Sequence, residues 1–106
     1  MPHRVQRQRR PGWRKPDNTI IIDRTSRWGN PFDVHTHGLD EAIRRYAEWI
    51  TNPTAQPVVC GRKTFHPSTR EAITAALAGK DLACFCPAGN PCHGDVLIQI
   101  ANPKTW

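Results

Sequence analysis

The sequence predicts a small single-domain α/β fold, with a largely parallel, Rossmann-like sheet and about three helices. Three observations carry this expectation. Short β-branched or apolar runs alternate with stretches of helical periodicity, in the order strand, strand, helix, brief strand, helix, strand, helix. The 106 residues are enough for one modest core, and 38% apolar content with ten prolines implies many loops. The stretch from Leu82 to Leu97 reads as a buried strand, a tight Pro/Gly turn and the start of a helix. No internal repeat or low-complexity segment breaks the pattern.

Residues 1–17 form a basic N-terminal arm or an edge strand, with Val5 as its apolar anchor, and residues 18–106 form the α/β domain. Pro11-Gly12 and Pro16-Asp17-Asn18 are turn signals. Thr19-Ile20-Ile21-Ile22-Asp23 is a β-branched run that predicts a central strand buried on both faces. A loop follows from Arg24 to Phe32, in which Gly29 permits a tight backbone and Pro31 disfavours helix before it. His35-Thr36-His37 then lies in polar loop surroundings. Leu39, Ala42, Ile43, Tyr46, Ala47 and Ile50 recur at helical spacing, Trp49 lies near the edge of that stripe, and Asp40 and Glu41 favour the helix start. Residues 51–67 are loop-like apart from Val58-Val59-Cys60, a brief strand. Ser68 followed by Glu71 is a capping-box pattern opening a helix that carries Ala72, Ile73, Ala76 and Leu77, with Gly79 as its cap. The last helix runs from about His93 to Ala101, facing Val96, Leu97, Ile100 and Ala101 to the core, and Asn102-Pro103 ends it.

The net charge of +6 is concentrated near the start of the chain. Arg4, Arg7, Arg9, Arg10, Arg14, Lys15, Arg24 and Arg27 stand against Asp17 and Asp23 alone over that stretch. Arginine suits bidentate phosphate contacts, and Trp13 within the run can stack on a base. Arg4, Arg7, Arg9, Arg10, Trp13 and Arg14 are therefore the candidate nucleic-acid contacts, the alternative being a solvated arm that only confers solubility. No apolar run is long enough to span a membrane, and the basic start lacks the apolar core of a secretory signal. A cytoplasmic location with no membrane partner is expected, so the four cysteines read as reduced thiols or metal ligands.

Three of those cysteines and a histidine crowd the strand–turn–helix corner: Cys84, Cys86, Cys92 and His93. Cys84 and Cys86 share one face of the strand. Three readings stand side by side. The four residues are a Cys3His metal site, with zinc as the ion, although their spacing is not that of a zinc ribbon. Alternatively, the helix N-terminus holds an anion and lowers the pKa of Cys92, and Cys92 or Asp95 serves as nucleophile or acid/base. In the third reading the cysteines are small buried hydrophobes and His93 a capping or core residue. A second candidate site is the loop of Arg24, Arg27, Trp28, Gly29 and Asn30, which with His93 would grip a flat anionic ligand; there, too, Trp28 and Phe32 can simply plug the core. If the strands ending at Asp23 and Cys86 are parallel, both loops lie at the same carboxyl edge and share one pocket.

Two separate motifs, Trp28-Gly29-Asn30-Pro31-Phe32 and Cys84-Phe85-Cys86-Pro87…Pro91-Cys92-His93-Gly94-Asp95-Val96-Leu97, occur with Arg4-Val5, Gly12-Trp13-Arg14, Pro16 and Gly79-Lys80-Asp81-Leu82-Ala83 in one order. In this the chain resembles, over most of its length, a family of small proteins of unknown function frequent in bacteriophages, including those of actinobacteria. The cysteine corner is also similar to that of another uncharacterised group of α/β proteins. The resemblance implies no activity; it places motif positions at Trp28, Gly29, Asn30, Pro31, Phe32, Cys84, Cys86, Cys92, His93 and Asp95, and leaves His35, His37 and Cys60 outside. Three function classes follow: a protein that binds nucleic acid or a nucleotide, an enzyme that cleaves or transfers at a nucleotide or nucleoside glycosidic bond, and a phage protein that binds a host protein in the host cytoplasm with a purely structural cysteine corner.

Overall fold

The computed structural model describes residues 3–86 and 90–102. Its elements are β1 (Arg4–Gln6), β2 (Thr19–Ile21), α1 (Val34–His37), α2 (Leu39–Trp49), β3 (Val58–Cys60), β4 (Lys63–Phe65), α3 (Arg70–Leu77), β5 (Asp81–Cys84) and α4 (His93–Ala101). The architecture is α/β, with a three-stranded parallel sheet in the order β1-β5-β2 and a separate antiparallel hairpin of β3 and β4. In the sheet Arg4 stands opposite Leu82 on one side of β5, and Ile20 stands opposite Leu82 on the other. The Pro87–Gly89 turn and the Pro103 helix stop expected from the sequence lie outside the described residues.

The central strand is β5, not β2. Leu82, Ala83 and Cys84 are each at most 1% exposed, whereas Ile20 and Ile21 are half-buried at an edge. The N-terminal residues cause the difference: β1 occupies the far side of β5 and takes the central place from Thr19–Ile21. Ile22, just past β2, is fully buried, and with Tyr46, Ile50, Ile73, Leu77, Leu82 and Leu97 it forms the core.

The helices explain the remaining departures. The described residues form four helices, against about three expected, because His35-Thr36-His37 belongs to a one-turn helix; Asp33 caps it, its carboxylate accepting from the His35 N–H at 2.9 Å. Helix α2 buries Ala42, Tyr46 and Trp49, and Ala47 is exposed, because the two aromatic rings define a narrower stripe than expected. Helix α3 starts one residue late. The Ser68 N–H donates to the Ile50 carbonyl at 2.7 Å, and Thr69 becomes the cap, its hydroxyl accepting from Ala72 at 3.0 Å. Strand β4 was not expected from the sequence. Its signal is Gly61-Arg62 between two short strand-forming triplets, with Gly61 at φ +64°.

Candidate functional site

Because β2 and β5 run parallel, the segments after Ile21 and after Cys84 emerge at one sheet edge. A cavity of about 280 Å³ opens there. Its apolar lining is Phe32, Val34, Leu39, Ile43 and Phe85, together with Cys84, Cys86, Cys92 and His93. Asp23, Arg24, Asn30, Asp33 and His35 supply the polar part of the lining.

The Trp28–Phe32 segment is held in place from several directions. Gly29 is required by close approach: a Cβ there would lie 2.6 Å from the Arg24 Cα and 2.9 Å from the Asp23 carbonyl oxygen. Trp28 is 6% exposed and does not line the cavity; the Tyr46 hydroxyl donates to its carbonyl at 2.9 Å. The amide of Asn30 is spent on the fold, its Nδ2 donating to the Ala42 carbonyl at 3.0 Å and its Oδ1 accepting from the Phe32 N–H at 2.9 Å. Arg24 Nε donates to the Asn30 carbonyl at 2.9 Å, and Lys63 Nζ bridges the carbonyls of Arg24 and Ser26 at 2.7 Å each. Arg27 turns away from the cavity and stacks 4.6 Å over the Trp28 ring.

At the cysteine corner the Sγ atoms of Cys84, Cys86 and Cys92 all lie within 4.8 Å of one another, a set that can hold a metal ion. Cys84 ends the central strand and Cys92 caps α4; their sulfurs are 3.2 Å apart. Cys84 is shifted toward the thiolate because the Cys86 and Cys92 thiols donate to it. Cys92 is shifted the other way, as a donor to Cys84 and Cys86 and by burial, although the Gly94 N–H contacts its sulfur at 3.4 Å. The helix N-terminus alone would have favoured a Cys92 thiolate; the neighbouring sulfurs reverse that order.

His93 stands outside the three-sulfur group. Its Nε2 lies 2.7 Å from the Ile22 carbonyl, which only accepts, so Nε2 carries the proton and the Nδ1 lone pair faces Cys92 Sγ at 3.7 Å. Burial lowers its pKa and keeps the ring neutral. Asp95 does not line the cavity. Its Oδ2 accepts from the Cys92 N–H at 3.2 Å as the reciprocal half of the α4 capping box, and its Oδ1 pairs with Arg4 Nε at 3.0 Å.

The basic residues divide into two groups. Arg4 and Arg7 are built into the fold. Arg4 belongs to β1 and its side chain is 12% exposed; Arg7 Nη1 pairs with Asp23 at 2.7 Å. Arg9, Arg10 and Arg14 are exposed and have no carboxylate partner among the described residues, and Trp13 is half-buried beside them in the chain. Phe85 joins this group to the cavity: the guanidinium carbons of Arg9 and Arg7 lie 4.4 and 5.1 Å from its ring centre. Sequence reasoning missed both Phe85 and the inward placement of Arg4. Strand alternation would have placed Phe85 on the face opposite Cys84 and Cys86; it lines the same cavity as they do because β5 ends at Cys84.

A small α/β domain with a cavity at the carboxyl edge of its parallel sheet, flanked by a three-thiol cluster, is the class that fold and site define. The chain belongs to the family described as a domain of unknown function (DUF4326), whose model matches residues 5–103. No curated protein and no solved structure matches it. Among the described residues, no helix is long and apolar enough to cross a membrane.

Proposed function

We propose that the domain binds a nucleotide, free or as one unit of a single-stranded nucleic acid, with the base in the sheet-edge cavity and phosphate on the neighbouring arginines. The observation that carries this reading is the position of Phe85, whose ring is both a cavity wall and the surface on which Arg9 stacks. An aromatic platform beside unneutralised guanidinium groups is the arrangement that binds single strands without reading sequence. Anisotropy of a labelled single-stranded oligonucleotide, with mononucleotides as competitors, tests it. Saturable binding is expected to weaken with salt, with a log–log slope of roughly −2 if Arg9, Arg10 and Arg14 each neutralise a phosphate. Phe85→Ala is expected to cost about 1–3 kcal/mol of binding. Absence of saturable binding to either probe at low salt refutes the reading and turns attention to a host-protein partner. The glycosidic-bond enzyme has less support, because Asp95 is committed to the helix cap and Arg4, and Cys92 is held as a thiol.

A second reading is favoured by the sulfurs themselves: Cys84, Cys86 and Cys92 bind zinc. Tetrahedral zinc thiolates place sulfurs about 3.8 Å apart, from bonds of about 2.3 Å. The spacing here, with one pair at 3.2 Å and all three within 4.8 Å, needs small adjustments of the buried Cys84 and Cys92 and the half-buried Cys86, and no change of topology. All three cysteines line the cavity, from which a fourth ligand would approach. Near-stoichiometric zinc in protein purified without chelator is the expected result; metal-free protein that takes up no zinc on titration refutes it.

A further inference from the structure

We propose that Arg4 is the fixed counter-charge of the cysteine centre, allowing Cys84, Cys86 and Cys92 to hold a divalent ion with all three sulfurs ionised; this rests on the zinc reading above. Loading of a fully protonated centre converts three thiols and one divalent cation into a tris-thiolate complex of charge −1 and releases three protons to solvent; where Cys84 is already ionised, two protons leave and the product is the same. Buried charge of that kind is tolerated only beside a compensating charge.

The position of Arg4 is tightly determined. Its stem crosses α4 at Gly94, where an added Cβ would lie 3.1 Å from the Arg4 Cδ and 2.7 Å from the Ile22 Cδ1. The first turn of the helix and the strand side chains can meet this closely only over a glycine. Beyond the stem the guanidinium is held on two edges, Nε against Asp95 Oδ1 at 3.0 Å and Nη2 donating to the Asn90 carbonyl at 2.5 Å. The third nitrogen, Nη1, is buried and has no hydrogen-bond partner; it is the sole such side-chain nitrogen or oxygen among the described residues. The carboxylate it grips ties it to the cysteine centre, since Asp95 Oδ1 holds Arg4 Nε at 3.0 Å while Asp95 Oδ2 accepts from the Cys92 N–H at 3.2 Å; burial acts to lower the arginine's pKa, and the nearby Cys92 and Cys84 sulfurs act to raise it.

A buried charged donor without a partner is costly, and an atom in that position needs an explanation. A neutral thiol sulfur is a weak acceptor, whereas an ionised one is a strong acceptor. The unused donor is therefore provided for the loaded state of the centre, when the sulfurs beside it carry charge. Asp95 does not cancel this charge from the other side, because its side chain is 55% exposed and water screens it. Loss of a group that orients or neutralises the ligands of a metal typically costs about 10–100-fold in metal affinity.

The test is zinc affinity by competition with a chromophoric chelator on the full chain, with cobalt(II) absorption as a measure of thiolate coordination and circular dichroism as the check on folding. Arg4→Met is expected to weaken zinc binding about 10–100-fold and to diminish the cobalt–thiolate charge-transfer band. Arg4→Lys retains the charge and is expected to stay within a few-fold of the parent; it decides the matter if the methionine variant does not fold. Asp95→Asn keeps an acceptor for the helix cap while loosening the tie to Arg4, and is expected to leave zinc affinity unchanged or tighter. If the parent protein takes up no zinc, the zinc reading falls and this inference with it. If the parent binds zinc and Arg4→Met binds equally well, or if Arg4→Lys fails as badly as Arg4→Met, the counter-charge assignment alone is overturned. Equal weakening by Asp95→Asn and Arg4→Met also overturns it, since that would make Arg4 merely a tie between β1 and α4.

Discussion

Tyr46→Phe removes one oxygen from the centre of the molecule and nothing else. The Tyr46 side chain is fully buried, and its ring packs at 6.1 Å from Trp49 and 5.2 Å from His93, contacts that phenylalanine retains. Burial pushes the phenol well above its ordinary pKa, so it remains a donor throughout the working pH range. Its hydrogen goes to the Trp28 carbonyl at 2.9 Å, and among the described residues no second donor reaches that oxygen. The variant therefore leaves an acceptor buried and unpaired, which costs more than the net value of an average hydrogen bond; the expected loss is about 1–2 kcal/mol. For a domain of this size that corresponds to a melting temperature lowered by roughly 5–10 °C. Urea and thermal unfolding followed by tryptophan fluorescence measure it, and the dependence on urea should keep its slope, because the surface exposed on unfolding hardly changes. Ligand binding should weaken as well, because the same bond anchors the loop that forms one cavity wall. A melting temperature within about 2 °C of the parent would refute the reasoning, by showing that the Trp28 carbonyl finds water or another donor when the phenol is gone.

Two further outcomes follow from neighbouring features. Gly29→Ala must push its new Cβ into backbone at Arg24 and Asp23, not into a side chain that can yield, so a loss of about 1–3 kcal/mol in urea unfolding is expected. Asp23 titrates below its ordinary range: burial alone would raise its pKa, but hydrogen bonds from Thr25 and Arg7 outweigh that and lower it. A depressed folded-state value means that the stabilisation is present above the unfolded pKa of about 3.9 and is lost as pH falls through the folded value. The urea midpoint of the parent protein should therefore drop more steeply below about pH 4 than that of Asp23→Asn, which should be weaker at pH 7 and flatter in acid; parallel pH curves for the two would contradict the assignment.

What the sequence reveals of this fold depends on how local the deciding contacts are. The strand and the helix of the cysteine corner are readable because their signals lie within a few residues: an apolar run at Leu82–Cys84 and helical spacing from His93. The parallel order of β2 and β5, and with it the meeting of the two motif loops, is also inferable from the alternation of elements. The central position of β5 is not, because it depends on β1 pairing with residues almost the whole chain away, and Val5 is a weak marker for a strand. The site followed the same division. The nearness of Cys84, Cys86 and Cys92 is legible from spacing, whereas His93, placed with them from the sequence, stands outside the three-sulfur group. The fate of each polar atom is not legible, because it depends on partners distant in sequence: Asn30 is spent on the Ala42 carbonyl, His93 on the Ile22 carbonyl, and Asp95 on Arg4. Arg4 shows the limit most clearly, since an arginine in a basic run looks like a surface charge until the sheet is assembled around it.

The pairing of β1 with β5 also dictates the order of events during synthesis. Arg4 and Leu82 are neighbours in the sheet, so the strand made first has nothing to pair with until the central strand has been made. Contacts that span so much chain form slowly, because the intervening segment must give up its freedom before they reward it. The emerging chain therefore carries an unpaired β1 and a row of arginines until the central strand is made, and the Arg4 guanidinium has no sulfurs to sit beside before then. Ribosome-bound chains ending before residue 80 should accordingly be open to proteases throughout.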